Sequence, residues 1–233
     1  MPCWTQRPGF PLLTASLSGG GAEGAVAHLS QRRFTAQGSS VTAAAAEAAT
    51  EGCPCGKAGC QPFDVLAVLN KRRKKATDPA AAAPAAAASD MDTPWTVPIT
   101  WALNGTKPSA ELMEGRKVQL KPATWDSSQG DFLVFNADQA GFFRVLYDEQ
   151  LLSRLEQAIQ TGRLPAASRL GVQNDAFALS EAGLMPLQRV LSLLRHYATA
   201  EQEFAVWSDI VSNLSPLGPL FDSKPGGKEL LNI

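Results

Sequence analysis

A chain of 233 residues, 45% of them hydrophobic and 18% charged, has material for one large or two modest globular domains. Its formal net charge of −1 gives no overall field for nucleic acid or an anionic membrane, and no apolar run nears the roughly 20 residues that span a bilayer. Three of its four cysteines crowd into the stretch Cys53 to Cys60, which is no secreted disulfide scaffold, and the N-terminus lacks a continuous apolar stretch of signal-peptide type. A cytoplasmic location is the default expectation, and under it the sequons at Asn104 and Asn213 carry little weight.

In chain order, Phe10 to Leu17 and His28 to Phe34 read as strands joined by a glycine-rich turn at Gly19-Gly20-Gly21. From residue 36 to residue 91 the composition turns to Ala, Pro and Ser. Alanine favours helix, but Pro79 and Pro84 break the second tract, and alanine buries too little surface to offset ordering entropy. The block reads as a low-complexity disordered insertion, with Phe63 to Leu69 as a transient helical turn. Order resumes where Val97, Ile99 and Trp101 alternate with Thr96, Pro98 and Thr100, the period of a half-buried strand. Pro98 places that strand at an edge or bulge. Gly115 to Lys121 gives another strand, with Val118 and Leu120 on one face. Asp131 to Phe135 and Phe142 to Tyr147 then read as a hairpin across Asn136 to Gly141.

Beyond Asp148 the apolar period becomes 3.6. Leu151, Leu152, Leu155 and Ile159 form one stripe of a helix ended by Gly162. Pro165 opens a second helix carrying Leu170, Val172, Ala176, Phe177 and Leu179, closed by Gly183. Pro186 opens a third, with Leu187, Val190, Leu191, Leu194 and Tyr197 at helical spacing. Thr199 and Gln202 have capping-box spacing for a fourth, whose expected buried face is Phe204, Trp207, Val211 and Leu214. Short loops predict antiparallel packing of neighbouring helices. The expected class is α+β and multidomain: an antiparallel, Ig-like β-sandwich over residues 1–35 and 92–147, the insertion over 36–91, and antiparallel helical hairpins over 148–233.

The sequence also holds four motifs in a fixed order: Trp4-Thr5-Gln6 with Gly9-Phe10-Pro11, then Gln31-Arg32-Arg33-Phe34, then Trp95 to Ile99, then Phe135 to Asp148. The helical part adds Ser168 to Gly183, and Tyr197, Glu201, Glu203 and Trp207 at their spacing. This order resembles the alanyl and puromycin-sensitive aminopeptidases, gluzincin zinc metallopeptidases, in the region just after their catalytic domain. The resemblance covers residues 3–35 and 94–215 and implies a β-sandwich followed by the start of a helical C-terminal domain. It also implies N-terminal peptide trimming with a zinc-bound water, the metal held by H-E-x-x-H and a downstream glutamate. The chain has no H-E-x-x-H, and its two histidines, His28 and His196, are isolated. The family's amine-binding G-x-M-E-N is missing too. No catalytic, metal or cofactor residues are therefore expected in this chain; zinc belongs to the complete enzyme.

The remaining signals read as structural. Cys53, Cys55 and Cys60 are expected to be reduced thiols, since one residue between two ligands strains chelation. The run Lys71 to Lys75 has no interleaved aromatics for base stacking and reads as a solvated loop, so neither nucleic acid nor membrane is an expected partner. Arg144 reads either as a contact for a substrate carboxylate or as the partner of Asp148 or Asp175 at the sandwich–helix junction. The second reading is favoured, and it groups Arg144, Tyr147, Asp148 and Asp175 as junction residues. Trp4, Trp95, Trp101 and Trp207 read as packing. The expected function is the non-catalytic C-terminal portion of a zinc aminopeptidase, meeting peptides only beside a catalytic domain. A stand-alone peptide- or protein-binding adaptor is the alternative. The start at Met1-Pro2-Cys3-Trp4, close to the family's catalytic–sandwich boundary, favours a partial gene product.

Overall fold

The computed structural model describes residues 9–19, 25–35, 94–122 and 125–217. Trp4, the block 36–91 with its cysteines, basic run and Phe63 to Leu69, and the closing prolines Pro219 and Pro225 lie outside the described residues. Among the described residues there are seven strands, then four helices, so the α+β class read from the sequence is the one observed.

Two sheets share one apolar core. The first has the order β5-β2-β1-β7. Strands β1 (Phe10–Gly19) and β2 (Ala25–Phe34) pair antiparallel along their whole length, from Phe10 opposite Phe34 to Gly19 opposite Ala25. Strand β5 (Lys117–Leu120) lies antiparallel outside β2. Strand β7 (Arg144–Tyr147) lies parallel to β1, with Leu13 opposite Val145. The second sheet has the order β4-β3-β6, from β3 (Val97–Leu103), β4 (Ser109–Met113) and β6 (Leu133–Phe135). Leu13, Ala15, Ala27, Leu29, Val97, Ile99, Met113, Leu133 and Phe135 are all buried in the common core. Full burial of one such leucine or isoleucine is worth roughly 1.5–3 kcal/mol. Leu12 and Leu13 point to opposite faces of β1, yet both are fully buried, which requires cover on two sides. Helix contacts with β1 and β7 provide the second cover.

The expected hairpin does not form. Strand β6 pairs with β3 in the second sheet and β7 with β1 in the first, so residues 136–143 cross between sheets. The turn makes this possible: Asn136, Asp138 and Gln139 have φ of 53°, 58° and 54°, left-handed values that swing the chain out of the sheet. Strand β4 was not anticipated, because Ser-Ala-Glu-Leu-Met lacks period-two alternation and is rich in helix formers. Pairing with β3 overrides that preference. Pro98 fits its place: β6 pairs only with Trp101 to Leu103, so β3 is locally an edge at the proline.

The helices are α1 (Glu149–Gln160), α2 (Ala166–Glu181), α3 (Leu187–Ala200) and α4 (Phe204–Leu214). Leu151, Leu152, Leu155 and Ile159 are buried as their spacing predicts, and Gly162 (φ 68°) ends α1. The main helix–helix contacts join α1 to α3, α2 to α4 and α2 to α3. Helices thus stack largely on the next but one, rather than as isolated sequential hairpins.

The fourth helix buries a different face from the one expected. Val206 and Ile210 are 1% and 2% exposed, whereas Phe204 is 84% and Val211 56% exposed. The reason is polar. Apolar residues occur nearly all round α4, so periodicity alone cannot choose a side; Asp209 chooses it by accepting hydrogen bonds from Gln173 and Asn174 of α2. Val206, Ile210 and Asn213 share the side of Asp209 at helical spacing. The Thr199–Gln202 capping box is also absent. Thr199 lies in the last turn of α3 and donates to His196 O at 3.3 Å.

Ile210→Ala is expected to cost about 2–5 kcal/mol and Phe204→Ala less than about 0.5 kcal/mol. Urea denaturation of the two variants measures the contrast, and equal losses would restore the face read from the sequence.

Candidate functional site

Of the four expected junction residues, Arg144, Tyr147 and Asp148 lie in or just past β7, and Asp175 reaches that strand from α2. Asp148 follows β7 and is the N-cap of α1: its Oδ1 accepts from Leu151 N at 2.8 Å. Its Oδ2 accepts from Leu17 N of β1 at 3.1 Å, and its own N–H donates to Ala15 O at 2.8 Å. One aspartate therefore starts a helix and extends the pairing of a strand. Tyr147 reaches into the second sheet. Its hydroxyl accepts from Phe135 N at 2.9 Å and donates to Phe135 O at 3.2 Å, satisfying both backbone groups of an edge residue of β6. Burial raises the Tyr147 pKa well above the usual phenol value, so the hydroxyl stays neutral and can donate.

Arg144 pairs with Asp175 and not with Asp148. Its Nη1 lies 2.8 Å from Asp175 Oδ1 and 2.8 Å from Asn174 Oδ1, and the guanidinium stands 5.8 Å from the ring centres of Phe10 and Phe34. Asp175 Oδ2 accepts from Val145 N at 2.9 Å. Burial pushes the Asp175 carboxyl up to about 6, against the opposing pull of Arg144 and the Val145 N–H. Asn174 then bonds Asp209 of α4 at 3.2 Å, so β7, α2 and α4 are tied in series.

A second hub joins α2, α3 and α4. Arg169 makes a bidentate pair with Glu201, Nε to Oε2 at 2.7 Å and Nη2 to Oε1 at 2.8 Å. Glu201 Oε1 also accepts from the N–H groups of Gln202 and Glu203, which head α4. The Tyr197 hydroxyl donates to Arg169 O at 2.8 Å, and Trp207 Nε1 to Glu201 O at 3.2 Å. Burial pushes the Glu201 carboxyl up, but its bonds to Arg169 and the two N–H groups outweigh it and hold the pKa below the ordinary value. Between α1 and α3, Arg189 bonds both Glu149 and Glu156.

Other fixed points carry roles that the sequence reading did not assign. Gln31 of β2 donates to Trp95 O at 2.8 Å and Gly115 O at 2.6 Å, and accepts from Trp95 N at 2.9 Å, which seats the buried Trp95. Asn136 holds the crossover turn: it accepts from Gly141 N at 2.8 Å and donates to Gly141 O and Phe143 O, both at 3.1 Å. Asn104 (φ 54°) donates to Asp131 Oδ1 at 2.5 Å and accepts from Phe132 N at 3.0 Å. Its Asn-Gly pair was a turn signal that could have found it. Gln31 heads one of the motifs of the resemblance, but its strand position alone does not show that its amide seats Trp95.

The two histidines stand far apart in the described residues, and all four cysteines lie outside them. His28 Nε2 lies 2.5 Å from Ser18 Oγ on β1, and His196 Nε2 stands 4.0 Å from Glu156 Oε2 on α1. Among the described residues no group of three His, Cys, Asp or Glu side chains could hold a metal ion. These residues do not fit the zinc site of the family named above. An open cleft of about 430 Å³, lined by Ser128, Gly130, Gln150, Ser153, Arg154 and Gln157, holds no acid–base pair. No helix among the described residues is long and apolar enough to cross a membrane.

Residues 132–232 match the family model of the ERAP1-like C-terminal domain, a span that begins just before β6 and takes in both hubs. Over this region the chain is similar to the C-terminal domain of M1 aminopeptidases. It is 34% identical over 128 residues to Aminopeptidase M1-A of Oryza sativa subsp. japonica, covering 50% of this chain and 14% of that protein. It is 32% identical over 123 residues to human Aminopeptidase Q, covering 52% and 12%. To human Glutamyl aminopeptidase it is 25% identical over 166 residues, covering 70% and 17%. The chain thus spans less than a fifth of these aminopeptidases' lengths. Of the motifs that carry the aminopeptidase resemblance, Phe135 to Asp148 and the helical Ser168 to Gly183, Tyr197, Glu201 and Trp207 supply the two hubs and the crossover turn.

Tyr147→Phe strips Phe135 N–H and C=O of their buried partner and is expected to cost about 1–3 kcal/mol in chemical denaturation. For Glu201 the folded pKa is lowered, so its contribution to stability is complete above the unfolded value and is lost as pH falls through the folded one. Glu201→Gln should therefore flatten the acid limb of the stability–pH curve; an unchanged limb would remove Glu201 from the account.

Proposed function

We propose that this chain is the non-catalytic C-terminal portion of a zinc-dependent aminopeptidase that trims peptides from their N-termini, and that its sheets and helices shape peptide access to a catalytic centre carried by other sequence. The reading is supported by one combination: a C-terminal aminopeptidase domain match in a sequence with two histidines and no H-E-x-x-H. Residues 1–35 with 92–147 act in this reading as the sandwich domain, and 148–233 as the start of the helical one. The residues of this chain bind no reacting group. They hold geometry: Asp148 fixes the direction in which α1 leaves β7, the Arg144–Asp175 pair fixes α2 against that strand, and Arg169–Glu201 fixes α2 to the start of α4. A wall built this way is stiff where it meets the sheets, which suits a chamber that selects peptides by shape. Peptide and catalytic domain are the partners in this reading, and the cytoplasm is the compartment.

A protein-binding adaptor is the second reading, favoured by the exposure of Phe204, Val211, Trp207 and Leu191 on α3 and α4.

The purified chain is expected to show no hydrolysis of aminoacyl amides with zinc added. Replacing the matched segment of rice Aminopeptidase M1-A by this chain is expected to retain turnover of a short substrate and to alter the preference for peptide length. Turnover by the chain alone would refute the first statement, and an unchanged length preference the second.

A further inference from the structure

The contact between α2 and β7 is electrostatically lopsided. The Asp175 side chain is enclosed, and two donors reach it: one arginine nitrogen and one backbone N–H. The arginine touches it through Nη1 alone, and Arg144 Nε is buried without a hydrogen-bond partner. A buried carboxylate is well compensated by a bidentate guanidinium and further donors, and here neither condition is met. Arg144 does not depend on Asp175 in return. Its Nη1 also reaches Asn174 O at 3.3 Å and Asn174 Oδ1 at 2.8 Å, and two aromatic faces lie beside it. Neutral Asp175 therefore leaves Arg144 Nη1 bonded to Asn174, whereas ionised Asp175 keeps a poorly solvated charge in the seam.

We propose that this seam is a proton-tuned fastening, in which protonated Asp175 seats α2 firmly against the outer edge of β7 and its ionisation loosens that contact. The titratable and charged groups around it are few. Strand β7 presents Arg144 and Tyr147, α4 presents Asp209 through the amide of Asn174, and the turn Ala137–Gln139 carries Asp138 on its exposed side. Helix α3 contributes Tyr197, whose hydroxyl is committed to Arg169 O, and α2 itself carries Arg169, paired with Glu201. None of these brings a second cation to Asp175. The direction of the effect follows from the carboxyl being pushed up to about 6 by burial. A folded value above the unfolded one gives stability that is complete below the unfolded value and lost as pH rises through the folded one, so acid tightens the seam.

The Val145 amide reports the seam directly, because its N–H is held by Asp175 Oδ2. Hydrogen exchange of that amide in the full chain, corrected for the intrinsic pH dependence of exchange, is expected to show opening about tenfold rarer at about pH 5 than at about pH 7.5. Asp175→Asn should abolish the difference. An equal opening at both pH values, or a difference that persists in the variant, overturns the proposal. Should the variant fail to fold, the carboxyl carbon shift of Asp175 in the unaltered chain decides: a midpoint near 6 supports it, and one at the ordinary aspartate value overturns it.

Discussion

An edge strand with one sheet neighbour leaves alternate backbone groups without ladder partners, and burying that edge is possible only if something else bonds them. Strand β7 is in this position: β1 lies on one side, and α2 packs on it. Side chains supply what a missing strand would have. Asp175 takes the Val145 N–H, and Asp148 just beyond takes Leu17 N–H of β1 while capping α1. Tyr147 does the same for the edge of the opposite sheet through Phe135. Four consecutive backbone positions thus set the relation between two sheets and a helical layer. Conformational freedom is small, because each bond aims in a direction fixed by the strand's pleat.

This explains why some of the structure is legible in the sequence and some is not. The stripe Leu151, Leu152, Leu155, Ile159 decides α1 because the apolar residues lie on one side and polar ones on the other. Strands β1 and β2 run longer than the hydrophobic reading, to Gly19 and from Ala25, because cross-strand pairing carries on where the apolar pattern fades. The fourth helix fails as a pattern because Phe204, Val206, Trp207, Ile210 and Val211 surround it. Its orientation comes from Asp209 meeting Gln173 and Asn174, a contact between residues 35 or 36 positions apart that no local window contains. The hairpin reading of 131–147 fails for a related reason. A six-residue turn between apolar runs looks the same whether the chain folds back in one sheet or crosses to another, and positive φ at Asn136, Asp138 and Gln139 decides for the crossing.

Among the junction residues, grouping Arg144, Tyr147, Asp148 and Asp175 needed only their closeness to the change of period and the cost of a lone buried charge. Which carboxylate takes the arginine is set by the tertiary fold. Asp148 was the nearer in sequence, but both its oxygens are committed to backbone N–H groups, leaving Asp175 as the acceptor. Arg169–Glu201 lay hidden for another reason: Glu201 falls between helices, where periodicity assigns no face. Its value comes from combining an ion pair with bonds to the first N–H groups of α4, where a helix has unsatisfied donors and a negative charge is favoured.

A motif dense in Asn, Asp, Arg, Tyr and Glu invites a catalytic interpretation, since such residues carry most enzyme chemistry. Here their bonds point inward. Asn136 spends its amide on Gly141 and Phe143, Tyr147 its hydroxyl on Phe135, and Arg144 its nitrogen on Asn174 and Asp175. A catalytic group needs an unused lone pair or proton facing a space where substrate fits, and these residues offer neither. Their specificity is of a different origin: a buried polar atom tolerates few geometries, so each such position admits few residue types. The part of the motif order that runs from Phe135 to Asp148 is thus the imprint of hydrogen-bond stereochemistry at the seams between the layers. The resemblance in these segments is therefore carried by residues that hold the layers together.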